Sequence, residues 1–353
     1  MRFDRFWLYR RILLSSRFAA CLWRSRQNIL ADRQGRPPVS GPFMAELDVT
    51  YRCDCRCRMC QRWRDHRRGE LTLGEYERLA DVFRRMGVQL VSIAGGEPLL
   101  REDIFSIIRC FAKYGMCVNL CTNGLSVEEH VKSLSYSGAS CVTVSVDGAA
   151  ADTHDTIRGV PGSYERIERG VRRLMASSPH DRPLVRVRMT VSNRNVDEVK
   201  RYYRKWSQIA DDVLFQPAHF CTGAFYTGLD KETFGLDPVR LARQIDGTPL
   251  RKGKYLDGLI RSLRQDGVYP AMRCYAGTLM VRIDPWGSVY PCLEQHVCVG
   301  SVREQGFRTI WYSELFNHTR KEIARNGDCR CWYNNTAMIS HYAKVLSRLT
   351  TVK

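Results

Sequence analysis

Between residues 44 and 217 the chain alternates short apolar runs with longer stretches whose apolar positions recur at helical spacing. Met44–Val49, Val88–Ala94, Cys117–Cys121, Cys141–Val146, Leu184–Val191 and Val213–Phe215 read as buried strands. The intervening helices have legible starts: Thr72 precedes Glu75, Ser126 precedes Glu129 and Asn195 precedes Glu198, each spaced for a reciprocal cap. After Thr72, residues Tyr76, Leu79, Ala80, Phe83 and Met86 share one helical face, and Gly87 supplies a stop. Such regular alternation predicts a parallel sheet with right-handed crossovers, and the pattern admits an open six-stranded barrel or a wound sheet.

The strand ends narrow that choice. The first strand runs into a cysteine loop, and the next ends in Gly95-Gly96-Glu97-Pro98. The others end in Thr122-Asn123-Gly124, Ser145-Val146-Asp147-Gly148, Thr190-Val191-Ser192-Asn193 and Gln216-Pro217. All six deliver polar or glycine-rich residues to one rim, which in parallel α/β barrels is where chemistry is assembled.

With 44% hydrophobic and 26% charged residues over 353 positions, the composition is that of a folded protein, which excludes disordered and fibrous classes. The length predicts one large domain with a smaller appendage, or two domains. No apolar run reaches the roughly 18 residues of a spanning helix. The net charge of +18 is concentrated at the ends: residues 1–40 hold nine arginines against Asp4 and Asp32, and residues 341–353 add Lys344, Arg348 and Lys353. In the first segment Phe3, Trp7, Leu14, Phe18 and Cys21 fall at near-helical spacing. That stripe suits a membrane surface, a helix packed on its own domain, or an arm on nucleic-acid phosphates, and its apolar character favours the first.

Fifteen cysteines exceed what core packing needs, and Cys53, Cys55, Cys57 and Cys60 lie within eight residues. Cys21, Cys110, Cys117, Cys121, Cys141 and Cys221 sit singly in apolar or periodic stretches and read as buried thiols. A long chain with no clean signal peptide favours metal ligation over a disulfide scaffold. The C-x3-C-x2-C spacing of Cys53, Cys57 and Cys60 can hold three irons of a four-iron cluster and leave one open to chelate a cofactor's amino and carboxylate groups. A zinc site with Cys55 as the fourth ligand is the other reading of the spacing.

The cysteine loop, Gly-Gly-Glu-Pro, Thr-Asn-Gly and Ser-Val-Asp-Gly, in that order, resemble the radical S-adenosylmethionine (radical SAM) superfamily. His154-Asp155-Thr156-Ile157-Arg158-Gly159 followed by Gly162-Ser163-Tyr164 is similar to its peptide- and sulfatase-maturing subgroup. The position before the third cysteine, often aromatic in the family, is Met59 here. The resemblance implies a partial (β/α)6 barrel over residues 41–260, in a cytoplasmic, oxygen-sensitive enzyme. It implies a [4Fe-4S] cluster on Cys53, Cys57 and Cys60 that cleaves S-adenosylmethionine (SAM) to a 5′-deoxyadenosyl radical, which abstracts hydrogen from substrate. In that scheme Gly95 and Gly96 let backbone approach the methionine moiety and Glu97 meets its ammonium. Asn123, Ser145 and Asp147 are candidates for hydrogen bonds to ribose or methionine, and Arg158 for the carboxylate.

Near the C-terminus, Met280–Ile283 and Ser288–Tyr290 flank Asp284-Pro285-Trp286-Gly287, a hairpin that should bring Cys274 and Cys292 together. Cys274-x12-Gly287-x4-Cys292 resembles the start of the SPASM extension, shortened here to a twitch-like domain over residues 265–340. A second, auxiliary [4Fe-4S] cluster on Cys274, Cys292, Cys329 and Cys331 is then implied, with Cys298 as a substitute ligand and zinc as the alternative metal. Residues 1–40 and 341–353 are basic flanks. Expected partners are a small-molecule or peptide substrate and an electron donor such as an acidic flavodoxin or ferredoxin, with peripheral membrane contact through the N-terminus. Oxidation of the substrate, with the auxiliary cluster accepting an electron, and rearrangement or cross-linking in a peptide are both open outcomes. An RNA-modifying radical SAM enzyme, a membrane-associated enzyme acting on a lipid or glycan, and a non-catalytic zinc protein binding nucleic acid are the alternatives.

Overall fold

The computed structural model describes residues 16–218, 231–252, 254–264, 273–292 and 297–325, with Ile339 and Ala343. Among the described residues nine strands form one sheet: β1 Met44–Thr50, β2 Leu90–Gly95, β3 Cys117–Thr122, β4 Cys141–Ser145, β5 Leu184–Val191, β6 Asp212–Pro217, β7 Met280–Ile283, β8 Ser288–Tyr290 and β9 Gly300–Ser301. Their order is β6-β5-β4-β3-β2-β1-β7-β8-β9. Each of β1 to β6 pairs in parallel with the next, so the alternation predicted for the six strands is what forms.

The helices are α1 Ser16–Arg33, α2 Leu73–Met86, α3 Ile104–Ala112, α4 Val131–Ser135, α5 Ala151–Arg158, α6 Ser163–Ala176 and α7 Val199–Ile209. They are followed by α8 Lys231–Phe234, α9 Pro238–Ile245, α10 Lys254–Arg264, α11 Phe307–Tyr312 and α12 Glu314–Arg325. The Thr72–Glu75 capping box and the Gly87 stop of α2 form as expected, and Tyr76, Leu79, Ala80, Phe83 and Met86 are its buried face. The other two capping boxes do not form. Residues 125–130 stay in turns, packed so closely on α6 that a Cβ on Gly170 would sit 2.9 Å from the Glu128 nitrogen. Asn195 instead donates to the carbonyls of Asp147 and Thr190, and Glu198 accepts from Ala149 and Thr153, so both ends of that box are spent on the strand rim.

Alternation along the strands separates two faces. Ala45, Leu47, Val49, Val91, Ile93, Val118, Leu120, Val142, Val144, Val185 and Val187 face the helices and form the main apolar core. The opposite face carries Glu46, Asp48, Ser92, Cys121, Ser145, Arg188, Thr190 and Gln216 into a shared cavity. Burying the apolar face at about 25 cal/mol per Å² holds the sheet, and the polar face is left for chemistry.

The C-terminal part continues this sheet. β7 pairs in parallel with β1, Met44 opposite Met280 through Leu47 opposite Ile283, and β8 and β9 follow antiparallel. The predicted hairpin forms, closed by Gly287 N–H donating to the Asp284 carbonyl at 3.1 Å. Helix α1 covers the strand starts: Leu22 and Ile29 pack with Met44, Leu90, Leu279 and Met280. Asn28 fastens it to the next segment, donating to the Gly41 carbonyl and accepting from Val39 and Ser40. The described part of the basic N-terminus is thus a helix packed on the barrel, while Phe3, Trp7 and Leu14 lie outside the described residues. No described helix is long and apolar enough to cross a membrane.

Candidate active site at the strand rim

The loop after β1 is held from two sides. Gly96 N–H donates to the Thr50 carbonyl at 2.7 Å, and Glu97 N–H to the Arg52 carbonyl at 2.8 Å. The approach leaves no room for side chains: a Cβ on Gly95 would lie 2.1 Å from the Thr50 oxygen, and one on Gly96 2.3 Å from that of Arg52. The glycine pair is therefore required by the loop's own backbone. From the other side, Arg56 and Arg58 donate their N–H groups to the carbonyls of Arg158 and Ile157 at the end of α5. Gly159 follows with φ +68°, where a Cβ would meet the Arg56 oxygen at 2.6 Å.

Cys53, Cys57 and Cys60 line the cavity together with Cys55, Met59, Gly95, Gly96, Asn123 and Ser145. The Arg158 guanidinium donates to Cys57 Sγ at 3.7 Å and pairs with Asp147 at 2.8 Å. A hydrogen bond from Cys55 brings the Cys57 thiol down to about 7; burial opposes the shift, and Arg158 adds to it. Burial pushes the Cys60 thiol up to about 11. The ligand atoms of Cys53, Asp54 and Cys55 lie within 4.8 Å of one another. That trio suits a single small ion, but it leaves out Cys57 and Cys60, which a four-iron cluster's wider spread of thiolates would use. The donor set along the rim, three thiols of the C-x3-C-x2-C spacing around one cavity, fits such a cluster.

The remaining predicted residues divide into lining and scaffold. Asn123 lines the cavity, its amide donating to Asp54 at 2.5 Å. Ser145 also lines it and accepts from Arg188 at 3.5 Å. Glu97 is fully enclosed, and its carboxylate accepts from Leu99 N–H, Thr122 Oγ1 and Asn123 N–H, tying β2 to β3. Burial pushes its carboxyl up to about 7 against those hydrogen bonds. Asp147 is likewise enclosed and accepts from Thr190 N–H at 2.8 Å besides its Arg158 pair. His154 Nδ1 accepts from Asp147 N–H, and burial, with Arg158 nearby, keeps this ring neutral by lowering it to about 3.

Sequence reasoning missed the charged wall that borders the same cavity. Asp48 receives Arg282 Nε at 2.8 Å and Arg62 Nη2 at 3.3 Å, and Arg282 also bonds Tyr51 OH. Burial alone would raise the Asp48 carboxyl, but the two guanidinium groups hold it below its ordinary range. Arg62 Nη1 donates to the Gly95 carbonyl at 3.0 Å, which connects this wall to the glycine pair. The signal was available in the alternation of Glu46-Leu47-Asp48-Val49-Thr50 and of Arg186-Val187-Arg188-Met189-Thr190.

The second cysteine group is partly described. Cys274 and Cys292 belong to one apolar cluster, and Gly277 N–H donating to the Pro291 carbonyl joins their segments. Cys298 is exposed, and its thiol donates to Gly300. Cys329 and Cys331, like Cys221, lie outside the described residues. The hairpin turn also touches the first site: Trp286 packs edge-on to Tyr51 at 5.2 Å and donates to the Arg68 carbonyl.

A parallel open barrel with a three-cysteine loop on its rim defines the class, and the comparisons agree. The sequence profile of the Radical SAM superfamily matches residues 47–205, and that of an iron-sulfur cluster-binding domain, SPASM, matches residues 274–332. An AdoMet-dependent heme synthase of Methanosarcina barkeri is 30% identical over 321 residues, 82% of this chain and 88% of that protein. Mycofactocin maturase MftC of Mycobacterium tuberculosis is 27% identical over 298 residues, 80% and 74% of the two chains. Among solved structures, Streptococcus suis SuiB bound to precursor peptide SuiA superposes with a TM-score of 0.66 at 18% identity, covering 84% of this chain and 70% of that one. The chain belongs to the radical SAM superfamily and carries a SPASM-type C-terminal domain. It is an enzyme whose cofactors are a [4Fe-4S] cluster, SAM and an auxiliary iron-sulfur centre.

Proposed function

We propose that Cys53, Cys57 and Cys60 ligate the SAM-binding cluster, and that Cys274, Cys292, Cys329 and Cys331 ligate the auxiliary one. The observation that carries this reading is the convergence of the C-x3-C-x2-C thiols, Gly95–Gly96 and Arg158 on one cavity. When bound, the reduced cluster and SAM supply a 5′-deoxyadenosyl radical that removes hydrogen from the substrate. The chain's own residues position the reactants. Gly95 and Gly96 present backbone to the methionine moiety, and Asn123 and Ser145 present polar side chains to it or to the ribose. Glu97, Asp147 and Arg158 act chiefly through others: Glu97 fixes the ends of β2 and β3, and the Asp147–Arg158 pair orients Cys57. The catalytic core then spans residues 41–260 and the auxiliary domain residues 265–340.

For the substrate we favour an organic small molecule bearing carboxylates, with Arg188 on β5 as its cationic contact. Similarity to a heme synthase across most of both chains supports this. A peptide is the second reading, supported by similarity to mycofactocin maturase over 80% of this chain. The electron donor that suits a chain of charge +18 is an acidic flavodoxin or ferredoxin. The test is anaerobic reconstitution followed by measurement of 5′-deoxyadenosine with tetrapyrrole carboxylates and with peptides. Stimulation by the first group, lost in Arg188→Ala, is expected; stimulation only by peptides overturns the substrate assignment, and zinc uptake without iron overturns the cluster assignment.

A further inference from the structure

A second cavity lies away from the strand rim, between the C-terminal end of α1 and α12. Its volume is about 420 Å³, and Arg33, Arg36, Arg273, Arg320, Lys321 and Arg325 line it. Asp32 is the one carboxylate in its described lining, and it is already engaged by Arg273 at 2.6 Å and by Thr278 at 2.9 Å. Arg325 pairs with Glu322 at 3.2 Å.

Arg320 is the most telling of the six. It is 5% exposed, sandwiched against Trp311 and Phe316, and it donates to the carbonyls of Gly277 and Trp311 and to Asn317. No carboxylate among the described residues forms an ion pair with it. Burial lowers it to about 9, so it remains cationic at neutral pH. Asp32 acts on it only through space, and an enclosed charge with no carboxylate in contact among the described residues is unfavourable; surrounding it with further cations raises the local potential. A concave space with this lining is stabilised by an anion, and guanidinium forks match phosphate oxygens in geometry as well as charge.

We propose that this recess binds a phosphate-bearing ligand at a site separate from the cluster cavity. A soluble phosphorylated molecule and an anionic phospholipid headgroup offer the same chemistry. Arg273, the chain neighbour of Cys274, is part of the recess wall, so occupancy would also change the charge next to Cys274.

The test is calorimetric titration of the reconstituted full chain with inorganic pyrophosphate at physiological salt. Saturable binding of one equivalent is expected. It should weaken roughly tenfold or more in Arg36→Glu/Lys321→Glu, where both substituted side chains are exposed. The variant Arg78→Glu/Arg204→Glu makes the same change in net charge at exposed helix positions away from the recess and should bind as wild type. No saturable heat at millimolar pyrophosphate, or equal loss in both variants, overturns the proposal. Phosphatidylglycerol vesicles then separate the sources: competition with pyrophosphate that is lost in Arg36→Glu/Lys321→Glu identifies a headgroup, and unchanged pyrophosphate binding identifies a soluble ligand.

Discussion

The cluster cavity and the recess between α1 and α12 both gather arginines, and they differ in what answers the charge. Around the cluster loop the buried Arg158, Arg62 and Arg282 have buried carboxylates: Asp147 faces Arg158, and Asp48 is shared by Arg62 and Arg282. In the described lining of the recess between α1 and α12, six cations meet one carboxylate, and apart from the Arg273–Asp32 and Arg325–Glu322 pairs they have no carboxylate in contact among the described residues. Matched charges fix geometry, since each partner restricts the other's rotamer and position. Unmatched charges leave the cavity dependent on what enters it. The first arrangement is that of a site whose own residues are held in advance, and the second that of a site completed by its ligand.

The largest expected effect breaks the first cavity at its thiols. Reconstituted protein should contain about eight irons, four for each cysteine group. Cys53→Ala/Cys57→Ala/Cys60→Ala should halve that content and bring 5′-deoxyadenosine formation below detection. Cys274→Ala/Cys292→Ala should remove the other irons while SAM cleavage stays measurable. Equal iron content in wild type and both variants would show that neither group is a cluster site.

Next in size is the matched wall. Asp48→Ala would strand Arg62 and Arg282 in the interior, at a cost of roughly 3–5 kcal/mol. A shift of that order should appear in urea unfolding of the apoprotein. Asp48→Asn, which keeps a hydrogen-bond acceptor, should recover part of it. If Asp48→Ala unfolds within about 0.5 kcal/mol of wild type, the pairing is not what holds these arginines.

The contrast also explains what the sequence disclosed. The thiol spacing, the glycine pair and the strand ends are local signals, and β1 to β6 were readable from their apolar runs. The Asp48–Arg282 pair was not, because it joins positions 234 residues apart across β1 and β7. Its only trace was a period-two alternation in strands that read simply as buried. Asn195–Glu198 misled for the same reason, since both side chains left their helix to hold distant strand ends. The recess went unseen because it combines α1 with α12, two helices at opposite ends of the chain.

A pH series sharpens the comparison further. Glu97 sits at about 7 when folded, above its ordinary value of 4.5, because burial disfavours its charge. Its contribution is complete below the unfolded value and is lost as pH rises through about 7, amounting at most to about 3 kcal/mol. Asp48 has the opposite sign: held below its ordinary range, it contributes above its unfolded value and is lost as pH falls. Stability should therefore decline on both sides of mildly acidic pH. Glu97→Gln should start less stable, since its amide meets the Asn123 N–H, but should flatten the decline between pH 4.5 and about 7. An unchanged slope in that variant would assign the decline to other groups.

The smallest effect belongs to the recess. Arg36 and Lys321 are exposed, and neither has a carboxylate partner among the described residues. Replacing both with Ala should therefore change unfolding by no more than about 0.5 kcal/mol in the absence of ligand. Relief of repulsion around Arg320 could even make the change favourable. With pyrophosphate present the wild type should gain stability by mass action, and the double variant should not. The diagnostic quantity is thus the difference between the two conditions, read as a shift in melting temperature. A variant that loses as much stability without ligand as Asp48→Ala would mean that the recess is a matched structural cluster after all, and the contrast between the two cavities would fail.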